Sequence, residues 1–149
     1  MTAVAPLPDC PLCTSTGGPL LLEGQTLRII RAEEPDYPGF LRVIWNRHCG
    51  EMSDLTDAER QRLMTVVWAC ERVVRRLYAP DKINLASLGN MVPHVHWHII
   101  PRWRDDPTFP GAIWAAPRTD GVHPASRPVV ADSTLRDALL AELRDLAPL

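Results

Sequence analysis

The feature that most constrains this chain is the stretch H-V-H-W-H-I-I at residues 94–100, which places histidine at every second position. The chain has only five histidines in all. Side chains of a β-strand alternate between the two faces of a sheet, so three imidazoles at this spacing would form a row with Cα atoms about 6.6 Å apart. Val95, Trp97 and Ile99 would then face a core. On a helix the same histidines would point in different directions, so the spacing predicts a strand over residues 94–101.

Length and composition indicate one globular domain. The chain has 149 residues, of which 46% are hydrophobic and 23% are charged, values typical of a globular protein. Its formal net charge of −2 argues against nucleic acid or an anionic membrane as the main partner. No apolar run approaches the ~20 residues of a membrane helix. The N-terminus lacks the pattern of a signal peptide, so we expect a cytoplasmic protein.

The hydrophobic pattern predicts the regular elements of an α+β fold. Thr56-Asp57-Ala58-Glu59 has the form of a capping box and opens an amphipathic helix that ends before Pro80. A second amphipathic helix is predicted over 133–146. The predicted strands cover residues 20–23, 26–31, 40–45, 83–88 and 94–101. Because this order lacks strict β-α alternation, we expect an antiparallel sheet of about five strands with one main packed helix and a C-terminal helix.

We interpret residues 1–149 as a single domain with two less regular parts. Residues 1–18 are rich in Pro, Gly, Ser and Thr, and are predicted to be an N-terminal arm around the pair Cys10 and Cys13. Residues 104–149 form a C-terminal extension, in which a proline-rich loop over 105–128 precedes the last helix.

Three interpretations of the histidine row compete. The row is a solvated strand face, or it binds a metal directly, as three-histidine zinc sites do. The third possibility is a covalent relay, in which one imidazole attacks an electrophile while a neighbouring imidazole holds the substrate.

The same residues resemble the signature of the histidine-triad (HIT) superfamily, His-φ-His-φ-His-φ-φ with φ apolar. The resemblance spans roughly residues 10–103, and the longer run N-M-V-P-H-V-H-W-H-I-I-P-R-W is similar to a bacterial branch of HIT family proteins. It implies a HIT-like fold, a homodimer and hydrolysis of nucleotides substituted on the α-phosphate. Dinucleoside polyphosphates, phosphoramidates and adenylates all fit, so the leaving group stays open.

The resemblance also assigns roles to individual residues. His96 matches the nucleophile that forms a nucleotidyl-histidine, and its other ring nitrogen should donate to a backbone carbonyl. His98, protonated or as an N–H donor, would bind phosphate oxygens. Asn90 and Asn84 match amide positions that contact the nucleotide, although either asparagine equally suits a turn or a strand end.

The resemblance further implies a structural zinc site. In a reducing compartment a C-x-x-C pair is more often metal-binding or redox-active than a disulfide. His48 and His94 match positions that join Cys10 and Cys13 in zinc-bearing relatives, so we expect a closed tetrahedral Zn²⁺ site from these four residues. The alternative is two reduced thiols on a flexible arm. With His94 bound to zinc, catalysis would fall to His96 and His98.

Two residues depart from the family pattern. Ala32 stands where many relatives have an acidic residue for the ribose, and Met91 stands where relatives often have serine. These departures favour a competing hypothesis, a nucleotide-binding or scaffold protein with little turnover. Metal-dependent hydrolysis by the row itself is a third hypothesis.

Overall fold

The structure, a computed structural model, describes residues 5–146 and residue 149. The N-terminal arm predicted over residues 1–18 is therefore described from residue 5, and its first four residues lie outside the described part. Residues 147 and 148 of the C-terminal extension also lie outside it.

A five-stranded antiparallel sheet forms the centre of the molecule, as predicted. Its strands lie in the order β1-β2-β3-β5-β4. Their bounds are β1 Leu20–Glu23, β2 Leu27–Arg31, β3 Leu41–Trp45, β4 Lys82–Ala86 and β5 His96–Arg102. The central pair is β3 and β5, in which Arg42 lies opposite His98 and Ile44 lies opposite His96. This register places both histidines near the middle of the sheet.

One face of the sheet packs against the long helix α2 (Asp57–Tyr78). The predicted capping box is confirmed, since the Thr56 side chain accepts from the Glu59 N–H and the Glu59 side chain accepts from the Thr56 N–H. Acidic side chains in the first turn and arginines in the last turn complement the helix dipole. The apolar stripe of α2 is buried against odd-numbered residues of the strands. The contributing strand residues are Leu27, Ile29, Leu41, Val43, Trp45 and Ile99.

The opposite face of the sheet carries polar residues, and the N-terminal arm covers part of it. The arm contains a short helix, α1 (Pro11–Thr14), which the sequence did not predict. Arg28 on β2 is only 6% exposed and clamps the arm through backbone oxygens. Its guanidinium donates to the carbonyls of Leu12, Ser15 and Thr16 at 2.7, 3.1 and 2.9 Å. The clamp therefore holds the thiols of the arm against the sheet.

The C-terminal part contains one helix, α3 (Asp132–Leu143), which adds Leu135, Leu139 and Leu143 to the main core. Residues 105–131 contain no helix or strand, as predicted. A buried ion pair stabilises the start of this loop, because Arg102 donates to both carboxylate oxygens of Asp106 at 2.7 and 3.0 Å. Across residues 5–146 and 149, no helix combines the length and apolar character needed to cross a bilayer.

Two predicted strand boundaries differ from the structure by two residues, and the others agree to within one residue. The strand predicted over 83–88 ends at Ala86, and the strand predicted over 94–101 begins at His96. The late start has a local cause, since the His94 N–H donates to the Val92 carbonyl at 2.8 Å and turns the chain there. Val95 then bonds through its N–H to Cys49 and through its carbonyl to Trp45. As a result His94 precedes the regular strand.

Candidate functional site: a histidine cavity beside a cysteine–histidine cluster

A cavity of about 430 Å³ opens on the polar face of the sheet at His96 and His98. The two imidazoles lie edge to face with ring centroids 4.8 Å apart. Leu88, Asn90 and Met91 from the β4–β5 connection line one side. The volume lies within the range of small-molecule sites, so a nucleotide-sized ligand has room beside both histidines.

His96 is held by a single backbone contact. Its Nδ1 lies 2.6 Å from the carbonyl oxygen of His94. A carbonyl oxygen only accepts hydrogen bonds, so Nδ1 carries the proton and Nε2 keeps its lone pair. Burial lowers the pKa of His96, which favours the neutral ring. The arrangement presents an unprotonated ring nitrogen in the form needed for nucleophilic attack.

His98 is more deeply buried and is held from three sides. Arg42 donates from Nε to His98 Nδ1 at 3.3 Å. The rings of Phe40 and Trp114 lie edge to face with the imidazole at 5.6 and 5.4 Å. Burial, helped by the nearby His96 and Arg42, lowers the pKa of His98 to about 3. Of the two forms considered for this residue, the environment favours the neutral ring, with its proton on Nε2.

The asparagines predicted to contact the nucleotide lie in different places. Asn90 is exposed and lines the cavity beside His96 and His98. Asn84 lies on β4 opposite Ile100, and its Oδ1 accepts from Arg102 Nη1 at 2.8 Å. Asn84 is not among the residues that line this cavity. Its described contact is therefore a hydrogen bond within the sheet, made from the middle of β4 and not from a turn or a strand end.

A second cluster joins the arm to the sheet through Cys10, Cys13, His48 and His94, the four residues predicted for zinc. Their Sγ and ring nitrogen atoms all lie within 4.8 Å of one another. Cys10 Sγ is 3.4 Å from His94 Nδ1, and Cys13 Sγ is 3.4 Å from His48 Nδ1 and 3.6 Å from His94 Nδ1. Tetrahedral zinc with ordinary bond lengths separates a sulfur from a nitrogen by about 3.5 Å. The donor set and its spacing thus fit a structural metal ion.

The orientation of His94 supports the same conclusion. Its Nε2 donates to the Trp45 carbonyl at 2.6 Å, which leaves the Nδ1 lone pair directed at the thiols. Burial lowers the pKa of His94, so the ring stays neutral as a metal ligand must be. Cys49 lies in the main core, outside the cluster. Among the described residues, the three histidines of the row do not form a metal-binding group together, so nothing here supports metal binding by the row itself.

Sequence reasoning missed Arg42. Three tryptophans, Trp45, Trp103 and Trp114, could supply a stacking surface by sequence alone, with a core role favoured for Trp45 because it ends a strand run. Of these, Trp45 and Trp103 are buried, whereas Trp114 is 54% exposed and lines the cavity. Arg42 gave no signal because an arginine in a strand is usually taken for a solvent-facing residue. Its register opposite His98 becomes visible only once β3 is known to pair with β5.

Curated proteins of related sequence match between about half and 70% of the chain. The AP-4-A phosphorylase of Mycobacterium tuberculosis is 28% identical over 110 residues, which is 70% of this chain and 56% of that protein. The asymmetrical bis(5'-nucleosyl)-tetraphosphatase of Schizosaccharomyces pombe is 35% identical over 78 residues, 49% of this chain and 43% of that protein. The chain thus spans about half the length of the curated relatives it matches.

Solved structures match over most of the chain. A histidine triad protein from Marinobacter aquaeolei is 27% identical with a TM-score of 0.66, covering 89% of this chain and 93% of that one. A histidine triad protein from Bradyrhizobium japonicum is 27% identical with a TM-score of 0.62, covering 87% and 90%. The family model described as the HIT domain matches residues 19–105, more than half of the sequence. With its histidine cavity and its five-stranded sheet, the chain belongs to the HIT domain family.

Proposed function

We propose that this protein cleaves substituted nucleoside phosphates at the α-phosphorus through a covalent nucleotidyl-histidine on His96. The names of the relatives, an AP-4-A phosphorylase and a bis(5'-nucleosyl)-tetraphosphatase, favour dinucleoside polyphosphates as the substrate class. Phosphoramidates and adenylates present the same reacting group and remain substrates to be compared.

One observation carries the proposal: the hydrogen bond from His96 Nδ1 to the His94 carbonyl, which leaves Nε2 unprotonated in the cavity. A positioned neutral imidazole divides a slow hydrolysis into two easier steps. The same carbonyl also stabilises the positive charge that the ring acquires when Nε2 becomes bonded to phosphorus. His98, as a neutral Nε2–H donor, would bind a non-bridging oxygen that gains negative charge in each transition state.

The two steps balance as follows. The Nε2 lone pair attacks the α-phosphorus, a P–N bond forms, and the leaving phosphate departs with the electrons of the broken P–O bond. Water then attacks phosphorus, the P–N bond breaks, and its electrons return to Nε2. The proton lost by water passes to solvent, and the nucleoside monophosphate is released.

Inorganic phosphate is a second candidate acceptor, because one relative is named a phosphorylase. Attack by phosphate on the same intermediate would yield a nucleoside diphosphate instead of a monophosphate. Turnover with and without added phosphate, with the products separated by chromatography, distinguishes the two acceptors.

The metal cluster has a structural role in this proposal. Cys10, Cys13, His48 and His94 would hold Zn²⁺, which supplies a cross-link between the arm and the sheet. No step of the reaction uses it. Brief exposure to excess chelator should therefore leave turnover largely intact while the domain stays folded, whereas a metalloenzyme would lose activity.

The decisive experiment is rapid mixing of the protein with a radiolabelled dinucleoside polyphosphate, followed by alkaline quench. We expect an acid-labile, alkali-stable label on the peptide that contains His96. Turnover without such an adduct would overturn the covalent route. Binding of the nucleotide without turnover would favour the scaffold hypothesis, to which Ala32 and Met91 point. A homodimer, implied by the family, is proposed as the assembly and is checked by light scattering.

A further inference from the structure

Three arginines on the polar face of the sheet differ in how their charge is satisfied. Arg28 donates to three carbonyls of the arm and to Asn46. Arg102 pairs with Asp106 and also bonds to Asn84 and Thr108. Arg42 makes one hydrogen bond, from Nε to the His98 ring, and its two Nη groups have no partner within the described part of the chain.

The surroundings of Arg42 remove water without supplying an opposite charge. The side chain of Arg42 is half-buried, and its guanidinium lies over the Phe40 ring, 5.2 Å from the ring centroid. Burial lowers its pKa, and Glu34 opposes this only through longer-range attraction. Among the described residues, no carboxylate forms an ion pair with Arg42. A desolvated cation without a partner is costly, and here it borders a cavity.

The position of Arg42 links it to the two histidines. It lies directly opposite His98 in the β3–β5 ladder, and it lines the same cavity as His96 and Trp114. The planar guanidinium carries five N–H donors, of which Nε uses one here. The Nη donors that remain suit the oxygen atoms of a phosphate group.

We infer that Arg42 is a phosphate-binding residue of this cavity and a positioning residue for His98. The inference rests on the proposed function, because the ligand it names is the phosphate of the nucleotide substrate. The Nε–H group bonds to Nδ1 of His98 and so keeps the imidazole proton on Nε2, where it can be donated to substrate. The Nη groups bind a non-bridging phosphate oxygen. Substrate binding neutralises a charge that the fold leaves unpaired.

The first test measures binding of AMP and of adenosine by calorimetry to the wild type, Arg42→Gln and Arg42→Lys. Arg75→Gln is the matched control, because it removes the same charge from an exposed position on α2. We expect Arg42→Gln to weaken AMP binding at least tenfold with adenosine binding little changed. Arg42→Lys should recover part of the loss, and Arg75→Gln should match the wild type. Unchanged AMP affinity, or equal losses for AMP and adenosine, would overturn phosphate binding by Arg42.

The second test reads the ring proton of His98 directly by ¹⁵N NMR of histidine-labelled protein. The wild type should show the Nε2–H tautomer at His98, and Arg42→Gln should show a mixture of the two tautomers. A tautomer that does not respond to the substitution would overturn the positioning role, because a merely structural arginine would leave the tautomer unchanged.

These outcomes separate the inference from the proposed function. If the wild type turns over no nucleotide while Arg42→Gln selectively weakens AMP, the inference holds and the hydrolase proposal fails. If the wild type turns over dinucleoside polyphosphates and Arg42→Gln does so with unchanged kcat/KM, the hydrolase holds and the inference fails.

Discussion

His94 and His96 stand two residues apart, yet each anchors its ring to a backbone carbonyl through a different nitrogen. His94 donates from Nε2 to Trp45 and turns Nδ1 towards the thiols of the arm. His96 donates from Nδ1 to His94 and keeps Nε2 for the cavity. The choice of anchored nitrogen therefore separates the proposed metal ligand from the proposed nucleophile within one short stretch. Neither role could be deduced from residue type alone.

The largest expected effect is a loss of turnover when His96, on the cavity side of this pair, is substituted. His96→Ala removes the nitrogen proposed to attack phosphorus, so turnover should fall by on the order of 10³-fold or more. Metal content and melting temperature should stay close to the wild type, because His96 is not in the cysteine cluster. Steady-state kinetics and metal analysis check both statements.

His123→Ala is the matched control for that substitution, since His123 is exposed in the proline-rich loop. It should turn over substrate like the wild type. Appreciable residual turnover in His96→Ala would contradict the assignment of His96 as the nucleophile.

The next largest expected effect is a loss of metal and of stability when the cysteine–histidine cluster is disrupted. Cys13→Ser removes one of the four proposed zinc ligands, so the metal that we expect in the wild type should be lost. The substitution leaves the His94 carbonyl that anchors His96 in place. We expect a loss of about 3 kcal/mol in the free energy of unfolding, roughly 10 °C in melting temperature for a domain of this size. Differential scanning calorimetry and metal analysis provide the measurement.

Cys49→Ala tests whether the metal loss is specific. Cys49 adjoins His48 but packs in the core, so this variant should keep its metal even though it is less stable. Wild-type protein purified without metal and with the same melting temperature in chelator would contradict the structural zinc site.

A third effect concerns His98, which shares the row with His96 but donates to no carbonyl of residues 5–146 or 149. Burial holds the pKa of His98 at about 3, whereas an unfolded histidine titrates near about 6.5. Between these values the unfolded chain binds a proton that the folded chain does not, so stability falls as the pH falls. Lowering the pH from 7 to 5 should cost at most about 2 kcal/mol through this residue alone.

Urea unfolding of the wild type and of His98→Gln at both pH values isolates that contribution. The loss of stability between pH 7 and 5 should be smaller in His98→Gln. Equal losses in the two proteins would mean that His98 titrates normally and is not desolvated as described.

The smallest expected effect is a change in KM when Trp114, in the wall of the cavity, is substituted. Trp114 lies against His98 and is 54% exposed, an arrangement suited to stacking on a nucleobase. Trp114→Ala should raise KM about three- to tenfold, with kcat little changed, as expected for one lost aromatic contact. Trp68→Ala, at an exposed site on α2, is the control and should leave both constants unchanged. A fall in kcat alone would assign Trp114 to positioning of His98 instead.

Sequence reasoning succeeded where a pattern has one physical explanation. Alternating histidines predict a strand, and a capping box with a 3.6-residue stripe predicts α2; both are confirmed. The cysteine–histidine cluster was predicted because four suitable ligands matched a family pattern, and the structure brings those ligands together.

The remainder depended on contacts between distant segments. The row of three breaks at His94 because the chain turns there to bond with Val92, which no local pattern indicates. Trp114 reaches His98 from a proline-rich loop that has no periodicity to interpret. Asn84 was expected near phosphate, but its Oδ1 accepts a hydrogen bond from Arg102. The β4–β5 register pairs Asn84 with Ile100 and leaves Ala86 opposite His98.

The clamp formed by Arg28 has a consequence for how this domain tolerates change. Arg28 donates to main-chain oxygen atoms of Leu12, Ser15 and Thr16, so these hydrogen bonds do not depend on the side chains of those residues. The exposed side chains of Ser15 and Thr16 can therefore be replaced without loss of these contacts, provided that the backbone keeps its path. Gly17 is the exception, because its φ of +86° strains any other residue and an added Cβ would lie 2.9 Å from the Leu12 side chain and 3.1 Å from the Ile44 side chain. The attachment of the arm to the sheet thus depends on the backbone conformation of the arm, and its exposed side chains could be substituted without breaking that attachment.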